Sequence, residues 1–293
     1  MAGNMRYAIP CINLPIFFIV FPLNTAFLWI IFRSKSLWKL WAYRIIFLIG
    51  VVDSFLLITT LEAGFMSLLQ IEFPYFFVST ATVITLVGPV LQGLLSIVLA
   101  YNRFVVILGL SRLNVSSIYY ALILITWAIT FTIIGFFCYL IDYYRYNIQF
   151  HGFHTLSPHN PPVLDAIFYL LIAIFILGSI IYVISIGSIM FQRRVVKRHD
   201  VGLLIQAIIP FVWLIIIRVF SKVADSITGE HPDVFTIFMN FFMRSLPVSH
   251  VVVYLSCNKT LRQNLRAIFS RKNSIAVVSL SPSSVTKTPS QRM

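Results

Sequence analysis

At 293 residues the chain is long enough for one or two water-soluble domains, but its composition excludes them. It is 59% hydrophobic and only 11% charged, against about 45–50% and about 25% in soluble domains. A mean hydropathy of +0.92 leaves too few polar side chains to cover a water-facing surface, so an integral membrane protein is expected. The formal net charge of +13 is dispersed between apolar runs rather than gathered on a basic domain, which argues against nucleic acid as a partner.

A spanning helix needs about 20 mostly apolar residues to cross roughly 30 Å of hydrocarbon. Seven stretches qualify: residues 9–32, 45–69, 77–101, 117–141, 166–191, 201–221 and 234–256. The first is uncharged, too long for the apolar core of a cleaved signal and followed by no small-residue cleavage site, so a signal-anchor is expected. The second carries Asp53 and Glu62, the sixth Arg218 and the seventh Arg244, whereas the others are uncharged. Cys11, Cys138 and Cys257 show no metal-ligand spacing and read as buried or membrane-embedded thiols.

Lys and Arg set the orientation. Seventeen of the 22 fall in one set of alternate loops and the tail, only Arg6, Arg145 and Lys222 in the other, and Arg218 and Arg244 within spans. This split predicts an extracellular N-terminus and a cytoplasmic tail. The sequons at Asn114 and Asn258 then lie on the cytoplasmic side, where glycosylation does not occur. No internal repeat supports an inverted-repeat transporter.

Ionisable groups inside hydrocarbon need a partner or a water-filled cavity. Asp53 lies about 12 Å inside its span at helical rise, level with Asn24, Gln92, Ser249 and His250. This set is either a structural hydrogen-bond cluster or a switch network whose partners change between two helix arrangements. Glu62 and Arg244 reach similar depth on the second and seventh spans, where they either pair or leave Arg244 to bind an anionic ligand group. Arg103, at the cytoplasmic end of the third span, can simply snorkel to water. Pro210 removes a backbone hydrogen bond and supplies a kink in the sixth span, and Trp127 suits ordinary packing.

Asn24, Asp53, Asn102-Arg103-Phe104, Trp127, Pro210 and Tyr254 occur in an order and spacing that resembles rhodopsin-like G-protein-coupled receptors. Ala100-Tyr101-Asn102-Arg103-Phe104 and Tyr254-Leu255-Ser256-Cys257-Asn258-Lys259-Thr260-Leu261-Arg262 are similar to stretches of nematode serpentine chemoreceptors, with the T- and X-type classes nearest. The resemblance runs from about Asn24 to Phe269. It departs at Asn102, which replaces an acidic neighbour of the arginine, and at His250-Val251-Val252-Val253-Tyr254, where only the tyrosine of an Asn-Pro-x-x-Tyr pattern remains. Val78 stands where many such receptors carry a disulfide cysteine, and residues 142–164 contain no cysteine to pair with one.

The resemblance implies an all-α membrane protein: a seven-transmembrane helix bundle (residues 9–256) behind a short extracellular N-terminus (1–8). It implies an extracellular small-molecule ligand between the outer helix halves, with Arg244, Glu62, Trp213 and Asn240 as candidate contacts. Opening of the sixth span about Pro210 would expose Arg103 and Tyr254 to a heterotrimeric G protein. Multi-pass insertion in the plasma membrane follows, in the sensory cilium if the chemoreceptor likeness extends that far. Residues 257–271 alternate apolar Leu261, Leu265, Ile268 and Phe269 with Lys259, Arg262 and Arg266, the pattern of an interfacial amphipathic helix on membrane lipid. Cys257, just before it, is a palmitoylation candidate. The tail, 272–293, is Ser/Thr-rich and expected to be disordered, either passive or phosphorylated for an arrestin-like partner. His151, His154 and His159 lack a carboxylate partner and no phosphate loop or nucleophile elbow occurs, so no enzyme, metal or cofactor is expected. The competing function is a seven-span transporter or ligand-gated channel.

Overall fold

The computed structural model describes residues 2–140, 144–147, 152–155, 162–191, 198–227 and 232–269. The tail beyond residue 269, His151, His159, Arg193, Arg194, Lys197 and most of the loop 142–164 lie outside the described residues, as do the side chains of Arg6, Cys138, Arg145, His154, Arg218 and Lys222.

The apolar runs fold into long helices: α1 (Ala2–Arg33), α3 (Trp41–Leu69), α4 (Tyr75–Leu108), α5 (Ser116–Leu140), α6 (Pro162–Phe191), α7 (Arg198–Ile227) and α8 (Pro232–Cys257), with one-turn α2 (Lys35–Trp38) between the first two and α9 (Lys259–Phe269) at the end. Among the described residues the helices are joined by a small antiparallel hairpin before α6, β1 (Tyr144–Asn147) with β2 (Gly152–Thr155), pairing Tyr144 with Thr155 and Asn147 with Gly152.

The breaks between helices have local causes. Ser34, in extended backbone, caps α2 by accepting from the Leu37 amide. Gln70 takes a left-handed φ of 55° and ends α3 before Pro74, and Gly109 at φ 68° ends α4, the conformation that closes helices at low cost in glycine. Asn258 interrupts α8 and starts α9, accepting from Leu261 N at 3.1 Å.

Among the described residues, five of these helices contain stretches long and apolar enough to cross a membrane: Tyr7–Arg33, Trp41–Leu69, Tyr75–Leu108, Ser116–Phe136 and Phe168–Ile189. The sixth and seventh expected spans lie within α7 and α8. The described apolar run in α7 is Leu204–Ile217, shorter than a crossing, and α8 carries Arg244 in its middle. Length and apolarity therefore establish a membrane-embedded helical protein with five candidate spans. Its surface agrees: Phe76, Leu124, Tyr169 and Val183 are each about two-thirds exposed or more, tolerable against lipid tails but not as a water-facing shell.

Helix α4 is central, packing on α3, α5, α6 and α7, while α8 sits against α7, α1 and α3. The α6–α7 approach depends on Gly178, because a methyl group there would overlap the Phe211 ring beside Pro210. α7 runs through Pro210 as one helix, so the expected pivot residue is a helix-interior proline with its side chain buried.

Candidate functional site

Asp53 on α3 is fully buried and joins three helices. Gln92 of α4 donates from Nε2 to its Oδ1 at 2.6 Å. His250 of α8 places Nδ1 2.8 Å from Oδ2 and 3.0 Å from Oδ1. At such separations a proton must lie between ring and carboxyl, and in either placement the bond is charge-assisted or leaves a neutral pair. The His250 ring in turn lies nearly parallel to Tyr254, at 6.1 Å and 13°, and Tyr254 meets Phe27 of α1 edge-on.

Asn24 occupies the next position along α3 rather than the Asp53 carboxyl itself. Its Nδ2 donates to Gly50 O at 2.8 Å and to Ser54 Oγ at 3.0 Å. Gly50 admits this contact because it has no side chain: a Cβ would fall 2.9 Å from Leu28 and 3.3 Å from Asn24 Oδ1. Ser249 donates to Leu246 O of its own helix. Asp53, Gln92 and His250 are thus brought together, with Asn24 bonded one residue beyond.

A second polar group spans α3, α4 and α8. Arg244 donates from Nη1 to Thr59 Oγ1 at 3.0 Å and Thr60 Oγ1 at 3.4 Å. Thr85 of α4 reaches Thr59 at 3.4 Å. The guanidinium charge acts on the Glu62 carboxyl, whose Oε1 is buried without a hydrogen-bond partner. The Arg244 charge reaches Glu62, and the contacts that orient the guanidinium include two threonines that the sequence alone does not single out. Trp213 donates from Nε1 to Ser245 Oγ at 2.9 Å and stacks on Phe242 at 5.3 Å, tying α7 to α8. Asn240 is half-buried on α8, one turn from Arg244.

At the basic end of the helices Arg103 is only 4% exposed, so it does not snorkel freely to water. Tyr43, Tyr119 and Tyr182 all feel its charge. Its neighbour Asn102 donates to Tyr119 OH at 2.9 Å, and that hydroxyl donates to Asn114 Oδ1 at 3.1 Å. Asn258 donates to Tyr43 OH at 3.1 Å and Gln206 Oε1 at 3.4 Å. These bonds link α3, α7 and α9 around one buried amide, which leaves the Asn258 sequon no room for a glycan. Asn258 also caps α9, a role missed when the sequence is read only for a sequon, and its other partners come from residues 215 and 52 positions away.

No protein-family model matches this sequence, and no curated protein matches it either.

Proposed function

We propose that the chain is a seven-span G-protein-coupled chemoreceptor similar to the nematode serpentine receptors, with its N-terminus outside the plasma membrane and its tail in the cytoplasm. The observation that carries the reading is the buried Asp53–Gln92–His250 junction, which joins the second, third and seventh expected spans. Polar contacts inside a membrane are costly to leave unmade, so a rearrangement that breaks one must make another, and the helices acquire discrete alternative packings. Toward the outer end, Arg244, Glu62, Trp213 and Asn240 supply charge, hydrogen bonds and aromatic surface to a small-molecule ligand. Toward the cytoplasm, outward motion of α7 about Pro210 separates Gln206 from Asn258 and uncovers Arg103 and Tyr254 for the Gα C-terminus. Ligand acts through its higher affinity for the open packing.

The test is nucleotide exchange by purified Gα subunits on the reconstituted protein. Ligand-dependent exchange that is lost in Arg103→Ala supports the receptor. Ion current or solute flux with no exchange from any Gα class favours the channel or transporter, a reading that draws support from the intramembrane Asp53–His250 pair because such groups also serve ion pathways.

A further inference from the structure

The end of the molecule that carries Arg103 also carries a basic structure that the receptor reading leaves unused. α2 is a single turn, yet it is well fixed. Leu37 is its buried plug, and Trp38 packs edge-on against Phe32 and Phe47. Lys35 and Lys39 are one turn apart, with Lys39 still in helical backbone, so both project from the side opposite Leu37 and both are exposed. Like charges at this spacing repel, and among the described residues no acidic side chain is paired with either lysine. Residues 33–50 and 109–127, the chain segments that meet here, contain no Asp or Glu.

Arg44 completes the group from the first turn of α3. Its Nε donates to Trp38 O at 2.6 Å, at the end of α2, and its guanidinium lies 4.5 Å over the Trp41 ring and 6.0 Å from Trp38. Trp41 is itself held, stacked on Tyr119 at 4.9 Å and donating to Ser116 Oγ at 3.4 Å. This arginine is half-buried and preorganised rather than free to sweep. Arg33, exposed at the end of α1, lies 5.9 Å from the Trp29 ring. Beside these four cations Trp29, Phe32 and Leu40 are 50–62% exposed, a surface suited to acyl chains. Exposed Ser36 adds a hydroxyl within the same turn.

We propose that α2, with Arg33 and Arg44, binds the phosphorylated inositol headgroup of a membrane lipid, whose acyl chains lie against Trp29, Phe32 and Leu40. Four cations within twelve residues directly beside a span are the pattern that attracts polyphosphorylated headgroups. Lysine and arginine divide the work: ammonium groups on Lys35 and Lys39 act as point charges on separate phosphates, and the fixed Arg44 supplies a planar donor. Phosphatidylserine, with its own ammonium, neutralises such a group poorly. The site requires only that the protein sit in a membrane, and it stands or falls separately from G-protein coupling.

The test is native mass spectrometry of the purified full chain titrated with phosphatidylinositol 4,5-bisphosphate, phosphatidylserine, phosphatidylcholine and soluble inositol trisphosphate. The inositol lipid is expected to bind at least tenfold more tightly than the other two lipids and than its soluble headgroup. Lys35→Gln with Lys39→Gln weakens it about 30-fold, Lys35→Arg with Lys39→Arg retains it, and Lys259→Gln with Arg266→Gln on α9 changes it less than twofold. Because Lys35 and Lys39 are exposed, the Gln pair keeps the parent tryptophan fluorescence and helical circular dichroism. Equal affinity in the Gln pair, equal binding of phosphatidylserine, or equally tight binding of the soluble headgroup each overturns the proposal.

Discussion

The Asp53–His250 contact makes the sharpest energetic prediction. Asp53→Leu leaves the donors of Gln92 and His250 without their acceptor, and each orphaned group costs about 1–3 kcal/mol. His250→Phe strands the Asp53 carboxyl with Gln92 alone, and removing one member of a buried pair costs about 3–5 kcal/mol in soluble proteins. The double variant orphans only the Gln92 amide, so its loss should fall below the sum of the singles. Hydrogen bonds within membranes couple by about 0.6 kcal/mol on average and about 1.7 at most, because partners are also available in the unfolded state. With two oxygens at 2.8 and 3.0 Å from one ring nitrogen, the upper end applies, and a coupling of about 1.5 kcal/mol is expected. Reversible unfolding of the purified protein in mixed micelles, titrated with SDS and followed by tryptophan fluorescence, measures all four corners of the cycle. Singles that add within about 0.4 kcal/mol would refute the contact as an energetic unit.

Three further outcomes follow from the packing. Gly178→Leu drives a side chain into the Phe211 ring, so it should destabilise by about 1–3 kcal/mol, and Phe211→Ala in the same chain should recover part of that loss in the same assay. Asn258→Ala removes the α9 cap together with the bonds to Tyr43 and Gln206. It should cost about 1–2 kcal/mol and raise amide hydrogen exchange across Lys259–Phe269 before that of α4; unchanged exchange in α9 contradicts the capping role. Arg244→Met loses the donors to Thr59 and Thr60, whereas Thr60→Val alone removes the longer of the two bonds. The arginine variant should therefore lower the unfolding midpoint clearly more than the threonine variant, and the reverse order would contradict the geometry.

The long apolar runs made the helices legible, and depth along them made Asp53, Gln92 and His250 legible as neighbours. Depth does not specify which way a hydroxyl turns. Ser249 lies at the right level but satisfies itself on Leu246 O, a bond available to any serine one turn along its own helix. Thr59 and Thr60 escaped notice because threonine is unremarkable in an apolar span, and only the reach of Arg244 from another helix gives them a role. Asn102 looked like the loss of an ion pair; its amide instead anchors to Tyr119 of α5. Asn258 looked like a chance sequon, since its buried contacts join distant parts of the chain. The last two expected spans show the limit from the other side: Arg244 and the short apolar run of α7 reduce the hydropathy by which a crossing is recognised.

Topology offers the most direct trial of the account, because the distribution of Lys and Arg and the placement of the ligand and G-protein ends all require an odd number of crossings. Epitope labels fused to the two termini, probed by antibody on intact and then permeabilised cells, read this outright. The N-terminal label should stain without permeabilisation and the C-terminal label only after it. Both labels on the same face would contradict the seven-span receptor.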